Sequence, residues 1–138
     1  MLLFLSAQDI SCLEVGLLDS TGRLFSFQSI KTSPEKFLLT ISEFLKENKT
    51  PLEALQKIVV VSGPGSFTST RISVTIANAL SFAKNIPVIG LENSLKKGGE
   101  ELITEFGQGW IEQKTEGFVV PFYDRPPHIT LKGTGVRG

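Results

Sequence analysis

Leu2 to Ser6 is a continuous apolar run, the pattern of a strand buried on both faces. Cys12–Leu18 predicts a second strand. Asp19-Ser20-Thr21-Gly22 is a turn signal leading into a third at Arg23–Ile30, so the three form an antiparallel ribbon. In the third, Leu24, Ser26 and Gln28 share one face and Phe25, Phe27 and Ser29 the other, a mixture suited to the edge of a sheet. Thr32-Ser33-Pro34-Glu35 then reads as a helix start, with a hydroxyl cap, proline in the first turn and an acid behind it. Phe37, Leu38, Ile41, Phe44 and Leu45 fall on one apolar helical face, and Glu43, Lys46, Glu47 and Lys49 on the solvated one. Thr50-Pro51-Leu52-Glu53 has the form of a capping box and predicts another short helix.

The β-branched run Ile58-Val59-Val60-Val61 predicts a central buried strand. Ser62-Gly63-Pro64-Gly65 is a tight turn, and Ser66 caps a helix running to about Lys84. Two readings of the turn stay open. Gly63, Gly65 and Ser66 can form a nucleotide-proximal anion site, because free N–H groups and the dipole at a helix start attract phosphate. Alternatively the turn is a stiff joint. The stretch lacks the Gly-Lys-Ser/Thr ending of a P-loop and the Gly-x-Gly-x-x-Gly of a dinucleotide fold, which favours the joint.

On this helix Ile72, Ile76, Ala79, Leu80 and Ala83 form an apolar stripe, expected to face the chain's own core. Beside it Ser69, Ser73, Ala77 and Ser81 recur every fourth residue, a small ridge that lets another backbone approach closely. That neighbour can be internal or a second subunit. Pro87–Leu91 is the next strand, and Glu92-Asn93-Ser94 reads as opening a helical segment that ends at Gly98-Gly99. Glu100–Phe106 predicts two helical turns, with Gly107, Gly109 and Gly117 leaving the rest irregular. Trp110 and Phe118 are expected to cover the edge of the core, and Phe118–Pro127 is strand-like with an extended Pro-Pro end.

The string Ser62-Gly63-Pro64-Gly65-Ser66-Phe67-Thr68, followed by Arg71-Ile72, a small-residue helix and Asn85-Ile86-Pro87-Val88-Ile89-Gly90, resembles the TsaB (YeaZ) family. Two motifs at the right separation carry the likeness over about residues 1–95, with an echo of the family's Pro-x-Tyr-x-Arg at Pro121–Arg125. The resemblance implies an α/β, ribonuclease-H-like lobe of the actin-like ATPase type, a mixed sheet with helices on both faces. It implies a non-catalytic partner of a TsaD-like transferase that makes threonylcarbamoyladenosine on tRNA. A TsaE-like ATPase is a further implied partner, a homodimer forms when the partner is absent, and tRNA is met only indirectly.

The implied interface is the long helix, with Ser66, Phe67, Ser69, Thr70, Arg71, Ser73, Ala77 and Ser81. The expected layout is an N-terminal lobe at 1–95, a reduced remnant of a second lobe at 96–117, and a tail at 118–138 packing back on the first. The family's histidine-bearing start of the first helix is absent at Thr32–Glu35, and its Asp-Thr-Ser at the end of strand one falls here on Ser6-Ala7-Gln8.

Composition narrows the chemistry. The 138 residues carry 14 basic and 14 acidic side chains, and this neutral balance opposes an electrostatic grip on nucleic acid by the chain alone. The single cysteine, Cys12, excludes an internal disulfide and suits a reducing compartment. The short apolar start lacks the basic flank of a signal peptide, and no run has the roughly 20 apolar residues of a membrane span. These readings give a cytoplasmic protein with no membrane partner.

With one imidazole, His128, there is no basis for a metal centre or a nucleophile–base pair. Asp9 reads as a turn residue, and no metal or cofactor is expected. Arg71, Tyr123, Asp124 and Arg125 read as local or tail-anchoring contacts before recognition residues. The competing class is a small phosphate- or nucleotide-binding enzyme using the Gly63–Gly65 turn.

Overall fold

A computed structural model describes residues 1–113 and 119. The apolar runs become β1 (Leu2–Asp9), β2 (Cys12–Leu18), β3 (Leu24–Lys31), β4 (Lys57–Gly63) and β5 (Val88–Glu92), and the helices are α1 (Phe37–Glu47), α2 (Phe67–Lys84) and α3 (Gly99–Glu112). The strands form one sheet in the order β3-β2-β1-β4-β5. β1 and β2 pair antiparallel, with Leu5 opposite Val15, and β1 and β4 pair parallel, with Leu5 opposite Val60.

β1 is central because both its faces are apolar. Leu3, Leu5 and Ala7 join a core with Phe37, Phe44 and Val74 under α1 and α2. Leu2 and Phe4 join a second core with Val59, Val61, Leu102 and Trp110 under α3. Strand side chains alternate between faces, so an unbroken apolar run must be covered on both sides. β3 is one edge, with β5 the other, and β3 leaves Phe25 exposed.

The β2–β3 turn is held by Asp19, whose Oδ1 accepts hydrogen bonds from Thr21 Oγ1 (2.6 Å), Thr21 N (2.9 Å) and Arg23 N (3.1 Å). The Thr21 hydroxyl bond is the largest cause of a carboxyl pKa below the usual 3.8. A depressed folded-state pKa stabilises the turn above that value, and the contribution is lost as pH falls through the lower folded one.

Three local expectations are corrected. Thr50–Glu53 forms no capping box. A single 3-10 turn spans Leu52–Ala54 with no side-chain cap, and the Thr50 hydroxyl donates to Asn48 O (3.1 Å). Glu92–Ser94 opens no helix, since Asn93 ties a loop instead. The third correction is α3, which runs through Gly107 and Gly109 to Glu112.

Glycine costs a helix about 1 kcal/mol, but tertiary contacts outweigh it here. Trp110 lies stacked on Phe4 with ring centroids 5.7 Å apart. Gly107 is required where α3 crosses the β2–β3 turn, because a Cβ there would sit 2.5 Å from Gly22 O. Residues 99–112 therefore pack in the same layered unit as residues 1–95, across the expected boundary at 95/96.

Lys57, the first residue of β4, closes the end of α3. Its Nζ donates to Trp110 O (2.9 Å), Ile111 O (3.0 Å) and Gln113 O (2.8 Å). A cation at the carbonyl end of a helix satisfies orphan acceptors and opposes the dipole. Lys57→Met should lower stability by about 1–2 kcal/mol, the scale of hydrogen bonds from a partly exposed charged group. Urea unfolding measures it.

Of the expected docking of residues 118–138, Val119 is the described part. Asn78 Nδ2 donates to Val119 O and Asn78 Oδ1 accepts from Val119 N, both at 2.8 Å, and the Val119 side chain packs against the core under α2. Phe118, Tyr123, Asp124, Arg125 and His128 lie outside the described residues. Among the described residues no helix is long and apolar enough to cross a membrane.

Candidate functional site

The end of β1, the 63–66 turn and the start of α2 meet at Gln8. Gly65 is needed because a Cβ at that position would lie 2.8 Å from Gln8 Cα. Ser66 N donates to Gln8 O (2.7 Å), and Ser66 Oγ caps α2 by accepting from Ser69 N (3.3 Å). The Gln8 amide donates to Pro64 O and to Asn93 O (3.2 Å), and its oxygen accepts from Asn93 Nδ2 (2.6 Å). Asn93 N donates to Gly63 O (2.8 Å), and Asn93 Oδ1 accepts from Lys97 N (3.1 Å).

Gly63, Gly65 and Ser66 are thus brought together, but the chain's own groups use the N–H groups of Ser66 and Ser69. An anion at either of these two N–H groups would have to displace the Gln8 carbonyl or the Ser66 hydroxyl. Asp9 makes a turn, its Oδ1 accepting from Ser11 N (3.1 Å) and Ser11 Oγ (3.3 Å). The Gln8–Asn93 amide pair was missed by sequence reasoning. Its partners lie 85 residues apart, and no local signal joins them.

The small ridge of α2 faces inward. Ser69, Thr70, Ser73 and Ala77 are all at most 1% exposed. Ser69 Oγ donates to Ala7 O (2.7 Å) and Thr70 Oγ1 to the same oxygen (3.4 Å), while Ser73 Oγ donates to Thr70 O (3.0 Å). Half-buried Ser81 donates to Ile86 O. Small residues here let α2 lie close on β1 and β4, which corrects the assignment of Ser69, Thr70, Ser73 and Ala77 to a partner-facing surface. A fully buried side chain offers nothing for another chain to touch.

The stripe expected to be core is covered in part, since Ile72, Ile76 and Leu80 pack against the core under α1 and α2. Ile72, Ile76 and Leu80 are half-buried, and Ala79 and Ala83 are exposed. Phe82 is 92% exposed, and Phe67 is exposed with Arg71 stacked over its ring at 4.9 Å. On the neighbouring helix Leu38 and Leu39 are each more than half exposed. Between the two helices a groove of about 580 Å³ is lined by Leu38, Ile41, Leu45, Leu52 and Leu80, with Lys46 and Lys49 also on its walls. Of the expected interface residues, Phe67 and Arg71 thus lie outward.

Among the described residues no group of three His, Cys, Asp or Glu side chains is placed to hold a metal. Cys12 is half-buried, with its Sγ 3.1 Å from Ser29 Oγ.

The family model described as TsaD, tRNA N6-adenosine threonylcarbamoyltransferase, matches residues 28–96. The chain is 41% identical over 51 residues to the tRNA threonylcarbamoyladenosine biosynthesis protein TsaB of Buchnera aphidicola from Acyrthosiphon pisum, covering 37% of this chain and 23% of that protein. It is 33% identical over 58 residues to the tRNA N6-adenosine threonylcarbamoyltransferase of Nitrosomonas eutropha, covering 42% of this chain and 17% of that protein. The matched stretches therefore span about a quarter or less of these relatives. The structure of YeaZ from Pseudomonas aeruginosa superposes with a TM-score of 0.58 at 27% identity, over 67% of this chain and 43% of the other.

Proposed function

Because this chain belongs to the TsaD family and is TsaB-like within it, we propose that it is a docking subunit for a TsaD-like transferase in tRNA threonylcarbamoyladenosine synthesis. The observation that carries this is the apolar groove between α1 and α2, lined by Ile41, Leu45, Leu52, half-buried Leu80 and exposed Leu38. Contiguous apolar surface of this kind marks an interaction site. A partner presenting a complementary apolar helix face buries it, and Lys46 and Lys49 favour acidic residues at the contact's edge. In this reading the chain contributes binding, and ATP use and transfer chemistry belong to its partners.

The test mixes the purified chain with a TsaD-like transferase and follows the complex by multi-angle light scattering. Leu80→Glu and Leu38→Glu should each weaken association by about 2 kcal/mol or more, the scale of an interface hot spot. Both should leave the circular dichroism of the free chain unchanged. If both folded variants still bind fully, the surface is not the interface and this reading fails.

A second expectation concerns nucleotide. Calorimetric titration with Mg-ATP should give no stoichiometric binding by the isolated chain, since Gln8 and Ser66 already engage the N–H groups of Ser66 and Ser69 at the turn. Tight binding that Gly65→Val abolishes would instead favour the small phosphate-binding enzyme.

A further inference from the structure

A cavity of about 340 Å³ opens where β1 ends and β2 begins, beside the loop that enters α3. Its walls include Ser6, Asp9, Glu14, Lys96 and Lys97, and it lies clear of the α1–α2 groove. Ser6 and Glu14 are cross-strand partners, on the face of the sheet that Leu2 and Phe4 also use. Ser6 is 1% exposed, and among the described residues its hydroxyl has no hydrogen-bond partner. A buried hydroxyl left unpaired is costly, and such groups are ordinarily satisfied.

The charges around it are of both signs. Glu14 Oε2 accepts from Gly99 N (3.2 Å), which leaves Oε1 available. Asp9 uses only Oδ1 in its turn. Lys97 Nζ is engaged by Glu105 at 2.8 Å, whereas among the described residues Lys96 has no ion-pair partner. A bare anion would meet two carboxylates, and a bare cation would leave Lys96 without a counter-charge. An apolar guest would leave Ser6 unpaired.

We propose that this cavity binds a small zwitterion of amino-acid type. The ligand's ammonium group faces Glu14 and Asp9, its carboxylate faces Lys96, and the Ser6 hydroxyl completes a hydrogen bond to it. Opposite charges on the walls of one cavity select a ligand that carries both charges. The site is independent of the docking surface on α1 and α2, so either can fail alone.

The experiment is amide-resolved NMR titration of the full chain with glycine and L-serine, beside inorganic phosphate and methylammonium as single-charge controls. The expected result is saturable shifts at Ser6, Glu14 and Lys96 with the amino acids and none with the controls. Ser6→Ala and Lys96→Met should each weaken binding about tenfold or more. Ser6→Ala should not lower the melting temperature of the free chain, because the hydroxyl it removes has no protein partner. Absence of saturable shifts with either amino acid, stronger binding of phosphate or methylammonium, or undiminished binding by Ser6→Ala would each overturn the assignment.

Discussion

Trp110→Ala should cost this fold about 3–5 kcal/mol, the range for deleting a large buried aromatic side chain. Trp110 is 3% exposed, stacks on Phe4 and contacts Phe106 along the same helix at 6.5 Å between ring centroids. It anchors the only helix among the described residues that covers the second face of the sheet, where Phe4, Val59 and Val61 would otherwise meet water. α3 cannot close over the space by moving inward, because Gly107 and Gly22 are already in backbone contact. The cavity therefore stays open, and an uncollapsed cavity gives the upper part of the range. Urea unfolding followed by circular dichroism measures the loss. A cost below about 1 kcal/mol would mean that α3 does not rely on this anchor.

Ser73→Trp should unfold the chain rather than dissociate it from a partner. Ser73 is fully buried on the inward side of α2, and its hydroxyl already donates to Thr70 O. An indole there must push α2 away from β1 and β4, breaking the Ser69–Ala7 contact at 2.7 Å and opening the core around Val74 and Ala77. Overpacking costs about 1–3 kcal/mol where neighbours can shift, and more where a sheet backs the site. The measurement pairs circular dichroism with light scattering. The expected result is loss of the folded signal, in contrast to Leu80→Glu, which should keep it. A folded Ser73→Trp chain that no longer associates would return the ridge to an interface role.

These two variants mark where periodicity stops informing. Ser69, Ser73 and Ala77 lie on one line of the helix, and so do Ile72, Ile76 and Leu80; which line turns inward is not encoded in the spacing. The usual rule puts the apolar line deepest, yet α2 buries the small line fully and packs Ile72, Ile76 and Leu80 on the core only in part. Serine can be buried at little cost when a carbonyl waits for its hydroxyl, and Ala7 O does so across 62 residues of chain. The apolar line is then left half-covered, with Leu80 sharing a groove with Leu38. The same blindness explains α3. Two glycines read locally as a break, whereas Trp110, Lys57 and the Gly22 crossing hold the helix together.

The sequence by itself determined the strand order of burial, the mixed α/β class, the span of α2 and the family. Each rests on short-range pattern: an unbroken apolar run for β1 and β4, Ser66 capping one end of α2, and Asn85 in the left-handed region at φ 57° closing the other. Only the tertiary structure decided the orientation of α2, the length of α3, the Gln8–Asn93 closure of the glycine turn, and the buried Ser6 beside Asp9, Glu14 and Lys96. Those features join residues from distant parts of the chain, and each depends on a hydrogen bond or a close contact that exists only once the sheet has brought them together.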